Sequence, residues 1–310
     1  MPCSERRGSA AGSAMAEVCG CAPPGGGRDW GAASRAMARR VGRVAVATTA
    51  LGASTGSLAG ARRAWAEGRA YARGDEVAPV PFEVSRDVSG ARKRAMAARA
   101  PEAFGTGTDL VVVETILHPT CTTQVQVDLR YSGRYNFLGV PLYDGETALL
   151  RREAAEALVS AHAELVEVHG VGIKIWDAYR PWHVSHMFYT LADPSAHGVY
   201  VANAETRGSK HNRGTAVDVT LFDVKSGAEI AMQSAFDEFG EAGRSDYMGC
   251  TDDQLALRET MQAAMTKAGF KGIDSEWWHW DFQTGDDART PLLNLTIQQG
   301  ESLASKHGRA

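Results

Sequence analysis

Two short stretches of the chain concentrate residue types that can do chemistry. In SKHNRGTAVD, residues 209–218, His211 precedes a glycine-containing turn and Asp218 sits on the β-branched run that the turn feeds. Gly214 permits a tight turn, so the chain can fold back and bring both side chains to one point. Asp218 is flanked by Val217 and Val219, and a lone carboxylate in an apolar strand is costly unless it is paired or ligates a metal. One resolution is an ion pair with Arg213, which leaves His211 exposed. The second stretch, SEWWHWDF at 275–282, favours the other resolution, because His279 offers a third ligand and Glu276 lies three residues upstream. Two histidines and one carboxylate with one open position make the donor set of a catalytic zinc site, whereas structural zinc prefers four protein ligands, mostly cysteine. Water at the open position would be acidified toward neutrality, and a neighbouring Glu276 could take its proton and pass it to a leaving amine. Strict strand alternation puts Glu276 and His279 on opposite faces. The chain must therefore bend near Trp277, or Glu276 must reach in from the strand's entrance. At least one of Trp277, Trp278 and Trp280 reads as plain hydrophobic core.

The elements that would position these residues follow from periodicity. Residues 146–170 carry apolar side chains at helical spacing and end at Gly170, a natural C-terminal stop. VGIKIWDAYR, 171–180, alternates Val171, Ile173 and Ile175 and reads as a strand closed by Pro181. The stretch WHVSHMFYTLA after that proline reads as a short helix, since proline suits a first turn. A β-branched strand at 215–222, a helix at 251–270 with Thr251 as its cap, and an aromatic strand at 275–282 complete the pattern. Strands mixed with two long helices, without regular βαβ repetition, predict an α+β domain built on a mostly antiparallel sheet flanked by helices.

Composition is uneven along the 310 residues. Residues 1–100 carry 16 Lys plus Arg against 8 Asp plus Glu, and the remainder 17 against 29. The basic first part is rich in Ala, Gly, Ser and Arg, a composition that buries too little apolar surface to offset chain entropy. It reads mostly as a disordered leader over 1–100, followed by a folded domain over 101–298 and a tail over 299–310. Within the leader, residues 37–66 run from Arg39, Arg40 and Arg43 through a weakly apolar stretch to an Ala-x-Ala ending at Ala66. That order reads as an export signal, with adjacent Arg39 and Arg40 similar to a twin-arginine start. An organellar transit peptide and a plain disordered tail are the competing readings. If it is a signal, the protein is exported, periplasmic or secreted; otherwise it is cytoplasmic. Thr, Ser and Gly dilute the apolar run too far for a stable membrane span. The acidity of the remainder argues against nucleic acid as a partner, since phosphate contacts need basic clusters. Oligomeric state is not legible.

Five cysteines form no zinc pattern. Cys3, Cys19 and Cys21 lie in the leader, and the Cys19–Cys21 spacing lacks the two-residue spacer of a zinc knuckle. Cys121 and Cys250 could pair in an oxidising compartment, with two unpaired thiols the favoured reading. His118, His162, His169, His183, His186, His197 and His307 have no partner spacing and read as surface or satisfied core residues.

Taken together, five ordered stretches resemble the zinc D-alanyl-D-alanine peptidases, and within them the D-Ala-D-Ala dipeptidase branch. SKHNRGTAVD matches the family's Ser-x-His-x-x-Gly-x-Ala-x-Asp signature and EWWH its Glu-x-x-His signature. DLRYSGRYNFLG (128–139), WDAYRP (176–181) and FDEF resemble three further segments of the branch. The resemblance covers about residues 109–283. It implies the zinc-domain fold shared with the Hedgehog signalling domains, one Zn2+ per chain, His211, Asp218 and His279 as its ligands, and Glu276 as catalytic base. Arg180 matches the arginine that stabilises the oxyanion, a role chemistry also gives to a fixed cation aimed at developing charge. Asp177 matches an acidic residue that helps hold the site, Asp237 and Tyr131 match contacts to the substrate's amino end, and Ser209 one near the substrate. The implied activity is hydrolysis of the D-Ala-D-Ala dipeptide to two D-alanines in cell-wall precursor salvage or turnover, in a small closed pocket. A D,D-carboxypeptidase or wall endopeptidase would keep the same metal site in an open groove. A Hedgehog-like binding module would keep the metal without catalysis, against which Glu276 and Arg180 both stand.

Overall fold

In a computed structural model of the protein, residues 80–284 and 290–307 are described; the leader's 37–66 segment and Cys3, Cys19 and Cys21 lie outside them. A five-stranded sheet forms the centre, in the order β2–β4–β5–β7–β6. Its strands are β2 (Gln126–Val127), β4 (Val171–Asp177), β5 (Ala216–Asp223), β6 (Phe270–Ile273) and β7 (Glu276–Phe282). Only the β2–β4 pair is parallel; the other three are antiparallel. β1 (Leu110–Val112) and β3 (Leu149–Arg151) form a separate antiparallel pair. The expected α+β architecture with a mostly antiparallel sheet is what the chain adopts.

Five helices flank the strands among the described residues: α1 (Val88–Ala97), α2 (Arg152–Glu164), α3 (Trp182–Leu191), α4 (Asp252–Lys267) and α5 (Ile297–His307). None is long and apolar enough to cross a membrane. α3 follows Pro181 as expected, and α4 opens on Thr251, whose side chain accepts from Gln254 N while Gln254 returns a bond to the Thr251 backbone. This reciprocal cap satisfies two donors that a helix start otherwise leaves orphaned. The three middle strands, β4, β5 and β7, are largely buried, and Ile173, Ile175, Val217, Val219 and Leu221 are fully enclosed.

Three expectations are corrected. The helix expected over 146–170 begins later, because Leu149–Arg151 pairs with β1; it then continues through a π-helical turn, Leu165–His169, to Gly170 in the left-handed region at φ 66. Residues 80–100 do not belong to a structureless leader. α1 packs on α3 with Ala91 and Ala95 buried, and Phe82 stacks on Tyr200 and meets Phe137 and Phe239. Nor is 299–310 a loose tail through residue 307: α5 packs against β1 and β3, with Ile297 and Ala304 buried. The signal missed in both end segments is short apolar spacing inside polar sequence, which composition averaging hides. Cys121 and Cys250 are free thiols.

Candidate active site

Cross-strand register assembles the site. Asp177 of β4 lies opposite Asp218 of β5, and Asp218 lies opposite His279 of β7, so three polar residues form a row across one sheet face. Two departures from regular pairing aim them. Between Ile175 and Asp177 the β4–β5 register slips by one residue, which turns Asp177 onto the row. Between Gly272 and Ile273 the β6–β7 register jumps, Gly272 pairing with Trp280 and Ile273 with Glu276. The Trp277 backbone instead donates to Gly243 O at 2.8 Å. The chain thus bends where expected, so Glu276 and His279 both line one cavity while Trp277, Trp278 and Trp280 are all core. Bulges of this kind redirect side chains next to active sites.

His211 arrives from the other side, on the 3-10 turn His211–Arg213 that Gly214 closes at φ 69. It is buried, and Arg213 is engaged by Glu102 and backbone carbonyls instead of Asp218. The alternative ion pair is therefore not formed. His211 Nε2 lies 3.3 Å from Asp218 Oδ1, His279 Nδ1 lies 3.0 Å from the same oxygen, and the two imidazole nitrogens are 3.1 Å apart. Their outer nitrogens are committed elsewhere: His211 Nδ1 to Ala178 O at 2.7 Å and His279 Nε2 to Asp281 Oδ1 at 3.0 Å. Two imidazole lone pairs and one carboxylate oxygen consequently converge on one buried point. That donor set fits a zinc ion with one position left open. Burial works to raise the Asp218 carboxyl, but the two imidazoles against it win and hold it far below the ordinary range. Burial likewise disfavours a charged His279 ring, yet Asp218 and Asp281 raise it well above the ordinary value.

Around this point the cavity, of about 510 Å³, brings in the other expected residues. Arg180 donates from Nε and Nη2 to Asp177 Oδ2 at 2.9 and 2.7 Å, and lies 3.7 Å from Asp218 Oδ2. Its guanidinium sits over the Tyr131 and Phe188 rings at 4.9 and 4.8 Å. Asp237 is buried and is the one non-glycine residue with positive φ among those described, at 60°, a conformation that Asp tolerates better than most. Tyr131 Oη donates to its Oδ1 and Phe137 N to its Oδ2, each at 3.1 Å. Burial pushes Asp237 well above the ordinary carboxylate range despite those donors. Glu276 is pushed up to about 7, again by burial first. Ser209 lines the cavity and its Oγ accepts from His211 N at 3.2 Å, so it also shapes the turn.

Four residues unread in the sequence complete the arrangement. Tyr143 Oη donates to Asp177 Oδ1 at 2.6 Å. Asn212, fully buried, donates to Arg180 O and Ser185 Oγ, both at 2.8 Å, and accepts from Ser209 N. Leu293 N donates to Asn212 O at 2.8 Å, so the C-terminal segment braces the turn from behind. Asp281 holds the outer nitrogen of His279; being two residues on along a strand, it shares that residue's face, and alternation alone could have found it. Among the described side chains, His118, His162, His169, His183, His186 and His197 stay off the cavity wall, and His162 is satisfied in the core by Ile173 N and Thr123 O.

A buried metal-type donor cluster on a cavity wall, with a carboxyl and a guanidinium beside it, defines a metallopeptidase class of site. The chain belongs to the peptidase M15 family: residues 108–298, more than half of it, match the family described as D-Ala-D-Ala dipeptidase. It is 34% identical to the D-alanyl-D-alanine dipeptidase of Escherichia coli K12 over 170 residues, 54% of this chain and 83% of that protein. Over 172 residues it is 29% identical to the Enterococcus faecium D-alanyl-D-alanine dipeptidase and 28% to that of Streptomyces coelicolor, in each case 50% of this chain and 85% of the relative.

Proposed function

We propose that the protein is a zinc-dependent dipeptidase that hydrolyses D-Ala-D-Ala to two D-alanines. The observation that supports the substrate reading is Asp237, a buried carboxyl in the same cavity as the metal donors, whose charge would suit an ammonium group. A free amino end matched there favours a dipeptide over the terminus of a longer chain, whose corresponding nitrogen is an uncharged amide. When bound by His211, Asp218 and His279, one zinc per chain supplies Lewis acidity to the scissile carbonyl and acidifies a water molecule. Glu276 takes the proton of the attacking water and passes it to the nitrogen of the leaving D-alanine. Arg180, held by Asp177, presents a fixed guanidinium to the oxyanion of the tetrahedral intermediate. Tyr131 steadies Asp237 and walls the pocket beneath Arg180, and Ser209 borders the substrate.

The composition of residues 1–100 and the order of residues 37–66 support an exported protein, periplasmic or secreted, whose role is salvage or turnover of cell-wall dipeptide. Release of D-alanine from D-Ala-D-Ala by the zinc-loaded chain, beside Glu276→Ala and a pentapeptide ending in D-Ala-D-Ala, is the test. Cleavage of the dipeptide alone, lost in the variant, is expected. Cleavage of the pentapeptide would move the protein to the carboxypeptidases, and inactivity on both with zinc bound would leave a binding module.

A further inference from the structure

Asp281 is the acidic residue of the site to which neither the motifs nor the substrate reading give a task. It follows His279 by two positions on β7, so both point to the same sheet face, and its strand partner on β5 is Ala216, a side chain too small to crowd it. His279 Nε2 stands 3.0 Å from Asp281 Oδ1 while Nδ1 stands 3.0 Å from Asp218 Oδ1. A neutral imidazole carries one proton, and its position decides which nitrogen has a lone pair to give. If the proton sits on Nδ1, the ring donates to Asp218 and offers nothing to a metal at the converging point. With the proton on Nε2, it donates to Asp281 and Nδ1 becomes a ligand. The Lys210 charge acts on the Asp281 carboxyl as well, and both residues line the cavity.

We infer that Asp281 is a positioning residue for metal binding: by accepting the Nε2 proton of His279 it fixes the tautomer and ring orientation that present Nδ1 to the ion. His211 is served differently, by the carbonyl of Ala178, so the two histidines enter through opposite nitrogens and depend on different partners. The inference rests on the metal reading of the three donors proposed above, though not on any substrate.

The experiment is zinc affinity of the full chain, measured by competition with a chromophoric chelator, for the parent, Asp281→Ala and Asp281→Asn. Nitrogen-edited NMR of His279 in the zinc-loaded proteins supplies the tautomer directly. Loss of such an outer partner weakens metal binding by about 10- to 100-fold, so Asp281→Ala is expected to fall in that range. Asp281→Asn keeps an acceptor oxygen at the same place and is expected to retain most of the affinity and the Nε2–H signal. Parent-like affinity in Asp281→Ala overturns the inference, and so does an equal loss in both variants, which would make the charge and not the acceptor decisive. A melting curve recorded in chelator separates misfolding from metal loss. Because no substrate is involved, absence of dipeptide hydrolysis would sink the proposed function and leave this result standing.

Discussion

Replacing Asp237 with Asn tests the substrate reading at its most specific point. The side chain is 2% exposed, so water cannot take over from a lost charge, and its two oxygens already accept from Tyr131 Oη and Phe137 N. Asn keeps the shape and tolerates the positive φ of 60°, and the Tyr131 hydroxyl can turn to accept from the new amide. What disappears is the carboxylate charge that the proposed reading sets against the substrate ammonium. Truncating one partner of a buried, hydrogen-bonded charge pair costs about 2–5 kcal/mol, which at 1.4 kcal/mol per decade is about 30-fold to several thousand-fold in kcat/KM for D-Ala-D-Ala. Stability should move the other way. Burial raises the folded-state pKa of Asp237 above its ordinary 3.8, so its contribution to stability is fully present below that value and is lost as pH rises through the raised one. Asp237→Asn removes this loss, and its melting temperature near neutral pH should equal or exceed that of the parent, with a flatter dependence on pH. Steady-state kinetics on the free dipeptide and on N-acetyl-D-Ala-D-Ala, with melting curves across pH, read both effects. A variant that keeps kcat/KM within about ten-fold of the parent, or a parent that cleaves the acetylated peptide as well as the free one, would refute the ammonium-binding argument.

Glu276→Gln should abolish turnover while leaving zinc affinity unchanged, checked by chelator competition beside the D-alanine assay. Because burial holds the Glu276 carboxyl up to about 7 and only the carboxylate can take a proton, kcat/KM in the parent should fall on the acid side, with a bound dication pulling the midpoint below 7. Arg180→Lys keeps the charge but loses the two-pronged grip on Asp177; kcat should drop by about 10²–10³-fold with a smaller change in KM, measured by steady-state kinetics. Leu293→Ala, off the cavity lining but fully buried behind Asn212, should cost about 2–5 kcal/mol in denaturant unfolding and lower zinc affinity through the turn it braces.

What the sequence made legible and what it hid divide along physical lines. His211, Asp218 and Glu276 with His279 could be found because each pair sits within ten residues, where turn and strand geometry limit the possible placements. Strands 171–177, 216–223 and 276–282 were readable because their β-branched and aromatic runs are buried on both faces. Tyr143, Asn212 and Leu293 were not, since each acts through a contact with residues 27 or more positions away or through a backbone group that carries no side-chain signal. The two register slips are a different matter. Period-2 reading forbids Glu276 and His279 from sharing a face, and the site exists because β7 breaks that period, handing the Trp277 amide to Gly243 and burying three tryptophans to hold the bend. Asp177 depends on the same device on β4. A rule of local geometry therefore fails at the two places where side chains must be re-aimed toward the metal donors, and the cost of each bulge is met by apolar packing that the plain alternation would not have supplied. Regularising β7 into plain period-2 pairing, with Glu276 and His279 kept three residues apart, would keep every functional residue type and still turn the base onto the face opposite His279.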